Sequence, residues 1–285
     1  YTESFSKNVV DNFTQMYAQG LTPNPCVECN RSVKFDHFIT QAKKLNCDKV
    51  ATGHYAKIIK KNNEFELHKA DYLDKDQSYV LHMLKSSDLE NISFPLGEIS
   101  KPEVRQIAAR IGLKTAFKKD SQDICFVGKK DYRSFVEKRI DLTSPGEIFD
   151  IEGNKVGDHN GIHEFTVGQR KGLPGGYGTP RYVTKINVQN KNVTIGEKKD
   201  LLVSSFIVEE LSCVNDLEYN NLTIQTRYNS EDLPCEIKKL SDTKVLVQLK
   251  EPAFGVAPGQ FGVIYNGTKV VCGGRISPKV LENIG

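Results

Sequence analysis

No run of 18 apolar residues occurs in the 285-residue chain, so no segment is long enough to cross a membrane as a helix. No charged leader with an apolar centre precedes the first structured segment. Nor does the chain open on Met: Tyr1 enters a helical period already under way at Phe5, Val9, Val10, Phe13, Met16 and Tyr17, so a fragment without its original N-terminus is expected. Charge of one sign is scarce. Thirty-nine Lys and Arg against 36 Asp and Glu leave +3, too little for the global basic field of a nucleic-acid binder. Seven cysteines is an odd count with irregular spacing, which argues against a disulfide framework and for a reducing, cytoplasmic setting. Only one C-x-x-C is present, whereas a structural zinc site uses two paired sets. Neither G-x-x-x-x-G-K-[ST] nor G-x-G-x-x-G occurs, and there is no internal repeat or low-complexity tract.

What is present divides by texture. Helical periods cover 31–45 (Phe35, Phe38, Ile39, Ala42, Leu45), 100–111 and 132–140. Ser100 and Glu103 form a capping box, with Pro102 in the first turn and Gly112 as the stop. Short strands are expected at 50–52 and 124–127, with a hairpin joining 58–59 to 65–67. This alternation predicts a layered α/β domain over 1–142. From Pro145 glycines cluster and helical periods vanish. Strands at 182–188, 192–196, 205–211, 222–228, 235–240, 244–250, 260–265 and 269–276 predict two β units, a small central domain over 143–203 and a closed C-terminal barrel over 204–285. Residues 114–139 hold eight basic and four acidic side chains, a solvated face or a phosphate-contacting strip.

The chemistry-bearing stretch is T-P-N-P-C-V-E-C-N at 22–30. Pro23 and Pro25 stiffen the approach to Cys26 and Cys29. Cys29 is expected just before a helix beginning near Arg31, where free N–H groups and the cations Arg31 and Lys34 would lower its pKa. Cys125, in D-S-Q-D-I-C-F-V-G, is flanked by Lys118, Lys119, Lys129 and Lys130; an activated thiol and a core-facing cysteine are equally open there. Cys47, Cys213, Cys235 and Cys272 read as isolated filler. His54 follows a short strand in G-H-Y, and Lys75-Asp76-Gln77 precedes an apolar segment; alone, each is ordinary loop or helix-start chemistry. Nucleophile, redox pair, metal ligand and cluster corner all remain open for the C-x-x-C.

Together these segments resemble the tRNA-specific 2-thiouridylase (tRNA-uridine 2-sulfurtransferase) family. The resembling motifs run in order: T-P-N-P-C-V-E-C-N, K-F-D at 34–36, A-T-G-H-Y-A at 51–56, K-D-Q-S-Y at 75–79, F-P-L-G at 94–97, D-I-C-F-V-G at 123–128, T-V-G-Q-R-K-G-L at 166–173, Arg227-Tyr228, and A-P-G-Q at 257–260. The resemblance implies part of a Rossmann-like ATP-pyrophosphatase (adenine nucleotide alpha hydrolase-like) domain, a small β domain and a tRNA-binding β-barrel. It implies that ATP with Mg2+ adenylates the C2 oxygen of the wobble uridine (U34) and that a cysteine persulfide then delivers sulfur to C2. By the same resemblance Cys125 would hold the persulfide, Cys29 would be the partner nucleophile in a disulfide-forming pair, and Gly53 would touch ATP. Asn24, Pro25 and Cys26 would lie against the target base. His54, Lys75, Asp76, Gln77, Arg227, Tyr228 and Gln260 would contact tRNA. Implied partners are the tRNAs for Lys, Glu and Gln and a sulfur donor, a cysteine desulfurase or a sulfur-relay protein.

Two departures from the family pattern matter. Many members carry Asp where this chain has Cys26, so an acid/base role does not transfer. A third thiol admits a [4Fe–4S] reading with Cys26, Cys29 and Cys125 as ligands. The S-G-G-x-D-S loop that grips ATP phosphates is also missing, so the chain as given is expected not to adenylate tRNA. An organellar setting stays compatible with the sequence. The competing classes are a non-catalytic RNA- or metal-binding module and another ATP-pyrophosphatase-type ligase, for which paired cysteines would be unnecessary.

Overall fold

The computed structural model describes residues 2–118, 124–128, 132–140, 144–176, 178–214, 217 and 219–279. Residues 2–18 form one helix, α1, whose middle turns Ser6–Asp11 are π-wound. Val9, Val10, Phe13, Met16 and Tyr17 are its buried face, as the period predicts. A second helix, α2, covers 25–44 and also has a π-wound centre, Cys29–Phe35. Val27 and Phe35 anchor its first half in the core, while its last segment, Asp36–Lys44, buries nothing. Helix α3 spans Lys101–Arg110 behind the expected Ser100/Glu103 capping box, and α4 spans Tyr132–Glu137.

Strand β1 (Val50–Ala51) pairs in parallel with β4 (Ile92–Ser93), a two-stranded remnant of α/β texture. Between them β2 (Ala56–Lys61) and β3 (Glu64–Lys69) form the expected hairpin. Asn62 and Asn63 turn it, both with positive φ, the conformation that a tight two-residue hairpin demands. The central unit is a sheet of β5 (Gly146–Phe149), β6 (Lys155–His159), β7 (Tyr182–Asn187) and β8 (Asn192–Gly196) in the order β6-β5-β8-β7. Its core is Ile148, Phe165, Val183, Val193 and Ile195.

The last unit contains β9 (Leu202–Cys213), β10 (Leu222–Gln225), β11 (Leu233–Ser241), β12 (Lys244–Phe254), β13 (Phe261–Asn266) and β14 (Lys269–Ile276). Pairing of β13 with β14 closes these six strands into a barrel. The β2–β3 hairpin adds to this same sheet, through Lys269 opposite His68. The core is shared as well. Val27, Phe35, Leu67, Tyr79 and Leu81 pack in one cluster with Phe261, Val263, Tyr265 and Val270 of the barrel.

Three expectations change. Residues 124–127 are not a strand. Val127 and Gly128 both donate their N–H to the Ile124 carbonyl, and Gly128 has a φ of +68°, so the segment is a turn. Its apolar residues are there to pack on α1: the Phe126 ring lies 5.3 Å from Phe13 and 5.7 Å from Phe5. Strand β10 ends at Gln225, which places Arg227 and Tyr228 in the following turn. The barrel cysteines are not isolated either. Cys213 and Cys272 are cross-strand partners joined by a side-chain hydrogen bond, with Cys235 close enough to influence Cys272.

Candidate active site

The local sequence sets where α2 starts. Pro25 is tolerated at the first helical position because its missing N–H would be unpaired there anyway. Asn24 is extended, and its Oδ1 accepts the Cys26 N–H at 3.2 Å, an N-cap. The helix therefore begins at Pro25 rather than near Arg31. Cys26 lies in its first turn and Cys29 one turn further in, away from the free N–H groups.

The approach to this helix rests on the barrel. Thr22 donates its N–H to the Pro258 carbonyl at 2.9 Å. Gln260 Nε2 donates to the carbonyls of Thr22 at 3.3 Å and Pro23 at 3.5 Å. Gly259 has a φ of +89°, and a Cβ there would meet Leu21 Cβ and Thr22 N at 2.8 Å. The A-P-G-Q motif is thus a cradle for T-P-N-P, and its glycine is a steric requirement.

Cys29 does not have the lowered pKa expected of it, and the Cys26 thiol is raised as well. For Cys26, burial raises it first, then the neighbouring Cys125, with Lys34 pulling down and Cys29 pushing up. For Cys29, burial again comes first, opposed by Lys34 and reinforced by Cys125. The physical reason is position. Cys29 has left the helix terminus, and Arg31 is engaged by the Glu28 carboxylate instead of serving the thiol. Cys125 itself is exposed. Cys125, more than 90 residues from the other two in sequence, is close enough to Cys26 and Cys29 to act on both electrostatically. Of the lysines expected around Cys125, Lys119, Lys129 and Lys130 lie outside the described residues, as do residues 120–123. Among the described residues one group of three, Glu137, His163 and Glu164, has ligand atoms within 4.8 Å of one another. The thiol trio is spread more widely than a single tetrahedral zinc ion would require.

Around this helix, Gly53 is exposed at the carboxyl end of β1. His54 is buried, its Nδ1 2.7 Å from Thr52 Oγ1 and its ring 5.8 Å from Phe35 and 5.9 Å from Phe94. Burial, and then Lys34, push its pKa down to about 4, so its imidazole is neutral at pH 7. Gln77 locks the G-H-Y loop: its Oε1 accepts the Tyr55 N–H at 3.0 Å and its own N–H donates to the Tyr55 carbonyl at 2.7 Å. Asp76 is buried with its carboxylate committed to the Ala70 N–H (2.8 Å) and the Ser78 hydroxyl (2.6 Å). Lys75 is half-buried at the end of the short turn Leu73–Lys75.

Two cavities open beside these groups. One of about 550 Å³ is lined by Asp76, Tyr79 and Tyr228 together with Lys69, Gln225 and Asp232. Another of about 380 Å³ unites Thr22, Arg227 and Gln260 with Thr166, Gly168 and Gln169 of the T-V-G-Q loop. Arg227 is exposed and donates from its NH2 group to the Gly255 carbonyl at 2.5 Å. Sequence reasoning missed Glu28 and Arg275. Glu28 is 4% exposed between the two cysteines, and Arg275 of β14 donates to it at 3.0 Å. The available signal was an acid placed at i, i+3 from Arg31 inside the C-x-x-C.

A barrel-docked helix bearing paired thiols, near a strand-end glycine of an α/β unit, marks the candidate site of a chain built in three structural parts. Three family models match in order: a tRNA methyl transferase HUP domain at 1–129, a tRNA methyl transferase PRC-barrel domain at 133–197 and an aminomethyltransferase beta-barrel domain at 203–276. The relatives are named for thiolation. The chain is 42% identical over 282 residues to the tRNA-specific 2-thiouridylase MnmA of Chloroflexus aurantiacus, covering 97% of this chain and 79% of that protein. It is 41% identical over 285 residues to MnmA of Rickettsia prowazekii (98% and 80%) and 40% identical over 284 residues to MnmA of Lachnoclostridium phytofermentans (97% and 79%). The chain belongs to the tRNA-specific 2-thiouridylase MnmA family.

Proposed function

We infer that the chain is a tRNA-uridine 2-sulfurtransferase, forming 2-thiouridine in tRNA. The observation that carries this reading is the convergence of Cys26, Cys29 and Cys125 on one site beside the T-P-N-P segment and Gln260, in a chain 42% identical to a 2-thiouridylase over 97% of its length.

In this reading ATP, with Mg2+, would activate the C2 oxygen of the wobble uridine as a leaving group, a step that calls for the phosphate-gripping S-G-G-x-D-S loop missing from these 285 residues. Gly53 faces the nucleotide; its exposure at a strand's carboxyl end, where α/β sheets collect ligands, supports that role. Asn24, Pro25 and Cys26 lie against the base. Cys125, exposed like Cys26, carries the terminal persulfide sulfur, which attacks C2 as the adenylated oxygen leaves with AMP. Cys29 then attacks the Cys125 sulfur, forming a Cys29–Cys125 disulfide and freeing the sulfur on the base. The raised pKa values of Cys26 and Cys29 keep them protonated at rest, so Cys29 reacts after losing a proton in the assembled complex. Asp76 and Tyr228, which line one cavity, and Arg227 and Gln260, which line the other, meet the tRNA, as do His54, Lys75 and Gln77 of the neighbouring loops. A cysteine desulfurase or relay protein supplies the sulfur, the substrates are the wobble-uridine tRNAs for Lys, Glu and Gln, and seven free cysteines suit a reducing cytoplasm.

The third thiol, Cys26, favours one second reading, in which Cys26, Cys29 and Cys125 would hold an iron–sulfur cluster whose open iron supplies bound sulfide. Iron analysis and an absorption spectrum after anaerobic purification separate the two, since a colourless, iron-free, active protein excludes the cluster. The function itself is tested in a deletion strain. Its tRNA should lose 2-thiouridine by mass spectrometry. Complementation should restore it with the wild-type gene and fail with Cys29→Ser or Cys125→Ser. If either serine variant restores normal thiolation, the reading is wrong.

A further inference from the structure

The helix that carries Cys26 and Cys29 also carries a carboxylate that the sulfur chemistry above does not use. Glu28 is 4% exposed, and an ionised carboxylate so far from water needs charged partners. Its Oε2 accepts from Arg31, one turn on in the same helix and half exposed. Its Oε1 accepts from Arg275 NH2 at 3.0 Å, and the Arg275 side chain is itself only 11% exposed. Each nitrogen of the Arg275 fork has a partner. NH1 reaches the Gly259 carbonyl at 3.4 Å and Met16 Sδ at 3.1 Å, Nε reaches Glu210 at 3.4 Å, and the guanidinium lies 5.0 Å from the Phe261 ring centroid.

These two partners differ in what they can do. Arg31 moves with the helix, so it cannot fix that helix against anything else. Arg275 belongs to the barrel, and a planar guanidinium sets direction as well as distance. The other hydrogen bonds from the barrel, through Pro258 and Gln260, grip Thr22 and Pro23, ahead of the helix. The Glu28 contact is therefore the barrel's hold on the turn from which Cys29 projects. Sulfur transfer needs the two sulfurs in attack geometry, where displacement by about 1 Å can cost on the order of a hundredfold in rate.

We propose that the Glu28–Arg275 ion pair sets the position of Cys29 relative to Cys125, making both charged residues positioning residues for sulfur transfer. This rests on the reading of Cys29 and Cys125 as the sulfur-handling pair. The test does not need tRNA. Diamide, an azo oxidant, takes two electrons and two protons from a thiol pair, which forms an S–S bond while the oxidant becomes the hydrazine. Cys125 can be captured by Cys29 or by Cys26, and peptide mass spectrometry gives the ratio. Because both disulfides compete within one molecule, the ratio reports local geometry rather than the amount of folded protein.

Arg275→Ala and Glu28→Gln are each expected to shift that ratio by at least about threefold, a modest part of what such displacement can do. Glu210→Gln removes only an exposed partner and should leave it within about 1.5-fold. Iodoacetamide labelling of Cys235 and Cys272, both buried in the barrel, reports on folding. Should Arg275→Ala expose them, Glu28→Gln decides, since it leaves the barrel's own contacts intact. An unchanged ratio in Glu28→Gln overturns the proposal, as does an equal shift in Glu210→Gln or a wild-type chain in which Cys125 joins neither thiol. Loss of thiolation in cells with a normal, variant-insensitive ratio would sink the positioning role alone, while a variant-sensitive ratio without thiolation would sink the functional reading alone.

Discussion

At the scale of single residues, two buried histidines tie stability to pH. His82 donates its Nδ1–H to the Tyr79 carbonyl, 2.8 Å away, and is 2% exposed beneath Phe261. Burial is the main cause that lowers its pKa to about 4, with the Tyr79 carbonyl opposing and Arg31 and Arg275 adding to the drop. His54 is lowered to about 4 as well. Both folded values lie below the unfolded value near 6.5, so the unfolded chain binds more protons between these limits. Stability from this source is complete above pH 6.5 and is lost as pH falls toward 4, by up to about 2.7 kcal/mol per pH unit for the two together. Urea midpoints measured across pH 4–7 should show that slope, and His82→Gln should reduce it by about half. A second expectation concerns Arg227, an exposed cation in a cavity shared with Gln260. Arg227→Ala should weaken tRNA binding and reduce the magnitude of the log–log salt slope by about 0.7–0.9. Equal slopes for wild type and variant would remove it from the phosphate contacts. The paired cysteines were legible in sequence because C-x-x-C after N-P is a local pattern. Their pKa direction was not, because it depends on burial in the folded chain and on Cys125, which no local pattern announces.

Among the elements, motif and packing separate cleanly. F-P-L-G at 94–97 reads as a family signature, yet its glycine answers to space: a Cβ on Gly97 would sit 2.1 Å from the Ala56 carbonyl oxygen. Gly97→Ala should therefore destabilise by about 1–3 kcal/mol, visible as a lower urea midpoint with little change in affinity for tRNA. Gly255 makes a contrasting case. Its φ is +80°, and a Cβ would meet Arg227 NH2 at 2.6 Å, so Gly255→Ala should act on tRNA affinity through Arg227. Helices α2 and α3 and the residues that cap their C-termini leave Phe38, Leu45, Ile107 and Ile111 exposed, Leu45 at 73%. These faces should bind a hydrophobic dye such as ANS at neutral pH, and Leu45→Lys with Ile111→Lys should reduce the signal. The capping box, the Asn-Asn hairpin and the strand β14 were readable because each depends on a few adjacent residues. The turn at 124–128 was misread because its apolar residues follow a strand-like pattern while serving as anchors for α1.

Taken whole, the molecule shares core and sheet across the points where its textures change. Composition separates an α/β part from two β parts, and that fold class is what the structure shows. The connection between the first part and the barrel was invisible in sequence, since Lys269 and His68 are 201 positions apart and carry no pattern that announces their pairing. Hydrogen exchange offers a check: the amide of Leu67, fully buried in the shared core, should open together with barrel residues such as Val263 and Val270 rather than with α3. The hairpin that spans this seam also constrains anyone who would exchange parts between relatives. A chimera cut at residue 203 would graft a foreign barrel onto strands shaped for this one, leaving β14 a neighbour of mismatched register. Transplanting residues 56–69 along with the barrel would keep the seam native, and the unit of inheritance is then a discontinuous one, two stretches of chain that must travel as a pair.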